Sequence, residues 1–167
     1  MIRALKLFPD RVLSIACPPV PEITPDILRL IQDLRDTLEA SPGVGLAAPQ
    51  IGVSRRVALV DVTRDRRKTP RPGSRQGLLI LVNPAIVGSE GLQVPREGCL
   101  SVPDLLADVR RFERVRVRAK DESGRERLIE ARGFEALALQ HEVDHLDGKL
   151  FLDRVANVKT DLFRRKA

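Results

Sequence analysis

The chain has two histidines, and they lie four residues apart around a glutamate, in His141-Glu142-Val143-Asp144-His145. On an α-helix, residues i and i+4 share a face one turn apart, so two imidazoles placed this way can bind one metal ion. Glu142 follows the first of them, where a carboxylate can take a proton from a metal-activated water. A catalytic metal site takes three protein ligands and keeps one position open. No third histidine exists, and no glutamate follows Glu142. Asp147, Asp153 and Asp161 downstream, or Cys99 upstream, are the candidates for the third ligand. Cys99 sits in Glu97-Gly98-Cys99-Leu100-Ser101-Val102-Pro103, away from any apolar stripe, and a thiolate binds a borderline metal tightly. The other cysteine, Cys17, lies between Ala16 and Pro18-Pro19 and reads as structural.

The elements that must carry these residues are legible in the pattern around them. Gly133 leads into a helix predicted over Phe134 to Leu146, which Asp147-Gly148 stops. Upstream, Thr24 caps a helix with Pro25 at its first position, and Ile27, Leu30, Ile31, Leu34 and Leu38 recur with helical period. Arg55 to Val62 reads as a strand. Thr63 to Gln76 is basic and broken by Pro and Gly, which predicts a solvated loop. Leu78 to Val82 is a second strand, ended by Asn83-Pro84. Val115 to Ala119 and Arg127 to Ala131 flank a short turn and form a hairpin. A last helix is expected over Val158 to Lys166, with Val155, Val158 and Leu162 hiding one face. Strands first and the main helix late give the α+β class, with antiparallel sheets packed around a central metal-binding helix. The chain reads as one domain over residues 1–167.

Composition narrows the setting. Apolar residues make up 43% and charged residues 31%, a globular balance. Five Phe with no Trp or Tyr leave little for stacking against single-stranded nucleic acid. The net charge of +6 favours polyanionic surroundings without naming one. Two cysteines make no disulfide framework, and no leader-like or membrane-spanning apolar run occurs, so the expected place is the cytoplasm.

Three blocks, in order, carry a resemblance: Gly43-Val-Gly-Leu-Ala-Ala-Pro-Gln-Ile-Gly52, Glu97-Gly-Cys-Leu-Ser101 and Gln140-His-Glu-Val-Asp-His145. Together they resemble the peptide deformylases. The resemblance implies removal of the N-formyl group from formylmethionine on new polypeptides, with release of formate. It implies Cys99, His141 and His145 as ligands of one divalent ion, Fe²⁺ first, with Zn²⁺, Ni²⁺ or Co²⁺ able to take its place. It implies Glu142 as general base and acid, with the Gln50 amide and the Leu100 backbone N–H stabilising an oxyanion. Val44 and Gly45 then match a segment that pairs with the peptide backbone, and Leu137 and Ala138 join Val44 and His141 around the methionine side chain. One position departs: many relatives carry arginine where this chain has Leu106, and Arg110 or Arg111 could substitute. Asp144 either orients part of the site or caps its helix. Two rivals from other classes are a metalloprotease with an aspartate as third ligand and a catalytically silent relative that binds ribosome or RNA. The basic C-terminus, with Lys159, Arg164, Arg165 and Lys166, is either a solvated end or a ribosome contact.

Overall fold

Thr24 caps the first helix as its type predicts, its Oγ1 accepting from the Ile27 N–H at 3.4 Å, and α1 runs over Pro25–Glu39. The computed structural model describes residues 1–166; residue 167, the last of the predicted domain, lies outside them. After α1 come β1 (Gly45–Ala47), β2 (Val57–Val60), β3 (Leu79–Glu90), β4 (Arg96–Cys99) and β5 (Val102–Asp108). The hairpin β6 (Arg114–Lys120) and β7 (Glu126–Arg132) follows, then α2 (Phe134–Leu146), α3 (Val158–Asp161) and β8 (Leu162–Arg164). The strands form a five-stranded antiparallel sheet, ordered β1-β2-β3-β6-β7, and a three-stranded one, ordered β4-β5-β8. The architecture is the α+β arrangement expected, with the histidine helix at its centre.

β2 explains how the large sheet is covered on both faces. All four of its residues are buried. Ala58 and Val60 point to one side, where they pack with Ala138, Leu139 and Leu146 of α2. Val57 and Leu59 point to the other, against Leu30, Leu34 and Leu38 of α1. A strand buried on both faces reads as a continuous apolar run, which is what Val-Ala-Leu-Val is. The strand is shorter than its predicted span. Asp61 ends it by accepting from the Thr63 N–H at 3.0 Å, which starts a 3-10 turn over Val62–Arg64. A third cluster, with Leu13, Val102, Ala107, Leu150 and Phe151, seats the small sheet on the segment after α2. The α2 helix is buried on every side from Glu135 to Leu146, its polar residues Glu135, Gln140, His141, Glu142, Asp144 and His145 included.

Two further predicted boundaries are corrected. Asn83-Pro84 does not end β3, which continues to Glu90. Asn83 takes a left-handed φ of 53° and its amide pairs with both backbone groups of Val20 at 2.7 Å, while the register with β6 shifts between Val82 and Ala85. A bulge places the proline where no ladder N–H is needed. The C-terminal helix is a single turn that gives way to β8, paired with Leu105, Leu106 and Ala107 of β5. Of the residues expected to hide one face, Val155 and Leu162 pack against the third cluster, while Val158 is 65% exposed. The basic loop is also not free of the body. Gly73 bridges Gly133, the Phe134 N–H donates to the Pro72 carbonyl, and buried Glu135 accepts from Ser74 and Gln76. The loop is pinned to the start of α2 as one wall of a cleft. No helix among the described residues is long and apolar enough to cross a membrane.

Candidate active site

The cleft has a volume of about 910 Å³, and the sequence-nominated residues line it, except His145, which lies behind them. His141 and His145 stand one turn apart on α2, ring centroids 5.0 Å from each other. Cys99, the last residue of β4, brings Sγ to 3.3 Å from His145 Nε2. One donor atom from each of the three lies within 4.8 Å of the others, and all three residues are buried. The aspartates weighed for the third ligand lie elsewhere. Asp147 pairs with Arg56, Asp153 accepts from the Leu150 N–H, and Asp161 accepts from the Asn157 N–H.

Glu142 lies beside the cluster and is 4% exposed. Burial pushes its carboxyl pKa up to about 7, against the pull of the neighbouring His141 and Arg111. Its Oε2 has no hydrogen-bond partner among the described residues, nor has His145 Nδ1. Buried polar atoms without partners are costly and rare. His145 turns its other nitrogen, Nε2, to Cys99 Sγ, so it is the orphaned Glu142 Oε2, beside a thiol and two imidazoles, that marks a place built for an added group. His145 is held well below its ordinary pKa by burial and by the charges at His141 and Arg111, which keeps a nitrogen lone pair free for a metal. For His141, burial pulls the same way, but Cys99 and Glu97 outweigh it and hold the ring well above its ordinary value.

Gly45 explains why Glu142 can sit where it does. A Cβ at that position would overlap the Glu142 carboxylate and approach its Cγ to 3.0 Å. Gln50 is 2% exposed, on the 3-10 turn over Ala48–Ile51. Its Oε1 accepts from the Ala47 N–H at 2.9 Å, which turns its NH₂ toward Ser101 Oγ, at 3.1 Å, and Cys99 Sγ, at 3.6 Å. Leu100 stands at the turn between β4 and β5 and lines the cleft, as do Val44, Leu137 and Ala138.

The support beneath the cluster was only partly foreseen. Glu97 Oε1 meets His141 Nδ1 at 2.9 Å. Arg111 donates to both oxygens of Glu97, at 2.6 and 2.9 Å, and to Asp144 at 2.7 Å. Arg154 closes the other side of Asp144 at 2.5 and 2.7 Å. Burial would raise the Glu97 pKa, yet His141 and Arg111 hold it at about 2. Asp144 therefore ties the helix to two arginines instead of capping it. Arg111 cannot stand in for the arginine absent at Leu106, because its side chain is 2% exposed and engaged by two carboxylates. Arg110, though exposed, does not line the cleft.

A strand ending in a cysteine and a His-Glu-x-x-His helix, meeting beside an open cleft in an antiparallel α+β fold, define a metal-dependent hydrolase. The comparisons with known proteins agree. A family profile described as polypeptide deformylase matches residues 2–161. The chain is 43% identical over 165 residues to a peptide deformylase of Thermodesulfovibrio yellowstonii, covering 99% of this chain and 96% of that one. The crystal structure of a peptide deformylase from Legionella pneumophila matches with a TM-score of 0.85 and 40% identity, over 95% of this chain and 89% of that one. A Met-Ala-Ser-bound peptide deformylase of Acinetobacter baumannii matches with a TM-score of 0.84 and 31% identity, over 93% of this chain and 99% of that one. The chain belongs to the polypeptide deformylase family, a family of enzymes.

Proposed function

We propose that this chain hydrolyses the N-formyl group from formylmethionine at the start of newly made polypeptides in the cytoplasm, using one divalent ion held by Cys99, His141 and His145. The observation that carries the reading is the meeting of those three donors within 4.8 Å beside a buried carboxylate that is not one of them. When bound, the ion supplies Lewis acidity, which makes water a usable nucleophile near neutral pH. Glu142, with its pKa at about 7, takes a proton from the water that attacks the formyl carbon. It returns that proton to the amine nitrogen as the C–N bond breaks, giving formate and a free N-terminus. Gln50 Nε2 and the Leu100 N–H donate to the oxygen that gains negative charge. Glu97 holds His141 by Nδ1, which would leave Nε2 as the nitrogen to hold the ion.

The substrate enters along β1. It is an edge strand of the large sheet, so Val44 and Gly45 can pair with an extended peptide backbone. Leu137, Ala138 and Val44 enclose the methionine side chain. The Acinetobacter structure holds Met-Ala-Ser, the peptide that deformylation of formyl-Met-Ala-Ser would leave. The deciding assay is formate release from formyl-Met-Ala-Ser by metal-loaded protein, with the product peptide weighed by mass spectrometry. Cleavage at Met-Ala without formate would establish the metalloprotease instead.

Two expected results belong here. Gly45→Ala displaces the Glu142 carboxylate, and a misplacement of about 1 Å costs on the order of 100-fold in kcat/KM. Unchanged kinetics in a folded variant would show that the two residues do not share that space in solution. The native ion is Fe²⁺, with Zn²⁺, Ni²⁺ or Co²⁺ able to replace it. A thiolate on a redox-active ion is open to oxygen, so the iron form loses activity in air while the Ni²⁺ form persists. Equal half-lives would count against iron.

The ribosome is the proposed docking partner, through exposed Lys159, Arg164 and Lys166. Removing the tail outright would strip β8 from β5, so the test is the triple Ala variant in ribosome co-sedimentation. Binding should weaken in the variant and fall steeply with salt. Equal pelleting of both proteins at low salt would end the idea.

A further inference from the structure

The charge lining the cleft is uneven. Glu142 and Glu97 are buried beneath it and, in Glu97's case, already paired with Arg111. Asp65 faces Arg67 at 3.6 Å, and Arg96 is held by Asp108 at 2.9 Å. Arg64 spends its donors on the carbonyls of Leu38, Ser41 and Gly43. Three cleft-lining arginines remain, Arg66, Arg71 and Arg165, and none of them has an ion-pair partner among the described residues. Arg71 lies half-buried with its guanidinium 4.4 Å from the Phe134 ring centroid, and Asp65 and Glu97 act on its charge only from beyond ion-pair distance.

Arg165 is the best placed of the three. Its backbone N–H donates to Asp104 at 2.9 Å, which fixes it to the start of β5. From there the side chain folds over Gly98, next to the ligand Cys99. A Cβ on Gly98 would meet Arg165 Nη2 at 2.5 Å and Leu106 Cδ2 at 2.8 Å. The guanidinium therefore occupies the wall beside Leu106, delivered from the residue that follows β8. Clefts lined by one sign of charge focus the field and draw in the opposite sign.

We infer that Arg165, with Arg66 and Arg71 across the cleft, makes this enzyme select formyl peptides that carry aspartate or glutamate at the second or third residue. The inference rests on the deformylase reading above. Nascent chains have no carboxylate near the methionine other than a side chain, so the probes are C-terminal amides: formyl-Met-Ala-Ser, formyl-Met-Asp-Ser, formyl-Met-Ala-Asp and formyl-Met-Ala-Lys. At low salt, kcat/KM should be about three- to fivefold higher for the better Asp peptide than for the neutral one, the scale expected of solvent-exposed charge pairs. The Lys peptide should be poorer than the neutral one. The difference should lie in KM and close at high salt. Arg165→Gln should bring the Asp-to-neutral ratio close to one, and Arg165→Lys, which keeps the charge, should preserve most of it. Equal kcat/KM for the Asp and neutral amides, or a ratio that survives Arg165→Gln, overturns the inference while leaving deformylation intact. No formate from any of the four peptides would instead overturn the reading beneath it.

Discussion

Glu142→Ala should bind its metal as the parent chain does and lose nearly all turnover. The carboxylate is buried, has an oxygen with no partner, and is not one of the three clustered donors. Its removal therefore takes away proton transfer and leaves the ligands in place. Losing a general acid–base group typically costs about 10²–10⁴-fold, and one group serving both steps falls at the upper end. Metal content measured beside formate release separates the two effects. A variant within a few-fold of the parent, with metal retained, removes Glu142 from the mechanism. A variant that arrives without metal would make it a fourth support of the ion.

Arg111→Met should be the most damaging single change to stability. The arginine is 2% exposed, between Glu97 at 1% and Asp144 at 6%. Asp144 keeps Arg154 after the substitution, but Glu97 loses both of its guanidinium bonds and stays buried. Breaking a buried pair by deleting one partner costs about 3–5 kcal/mol. For a chain of this length that is a fall in Tm of about 10 °C. Replacing Glu97 by glutamine in the same chain removes the uncompensated charge and should recover part of the loss, since the two positions are in contact. A single variant that melts within about 2 °C of the parent would mean that water reaches Glu97 or that the pair is not formed.

What the sequence revealed follows from how local each signal is. The α2 helix was placed at its observed ends because its start and stop are written beside it, in Gly133 and in Asp147-Gly148. The hairpin was legible because its two strands are joined by a short turn. The donor cluster was legible through residue type: two histidines at helical spacing leave few ways to complete a site. The failures are non-local. Asn83-Pro84 has the chemistry of a strand end, yet the Asn83 amide is satisfied by Val20, 63 residues away. The C-terminal segment has helical spacing, but the unpaired edge of β5 gives its backbone a better partner. Arg111 was weighed as a stand-in for the arginine absent at Leu106 because nothing nearby in sequence shows that Glu97 and Asp144 enclose it. The basic loop is exposed as read, but its anchoring was not legible, because Glu135 lies about sixty residues further on.

The burial of α2 on every side leaves it no neutral face. In most enzymes, packing and chemistry fall on separate surfaces, and one can drift while the other is kept. Here the residues that fill the core alternate around the same short helix with those proposed to hold the ion and move the proton. A change of one methylene at Ala136 or Leu139, both fully buried, must shift the helix axis and with it both imidazoles. Sequence divergence in this chain is thereby pushed outward, onto the solvent side of β6 and β7, where Arg116, Arg118, Leu128 and Glu130 are exposed. A library randomised on that hairpin face should retain activity in most members, and one confined to the helix should retain it in few.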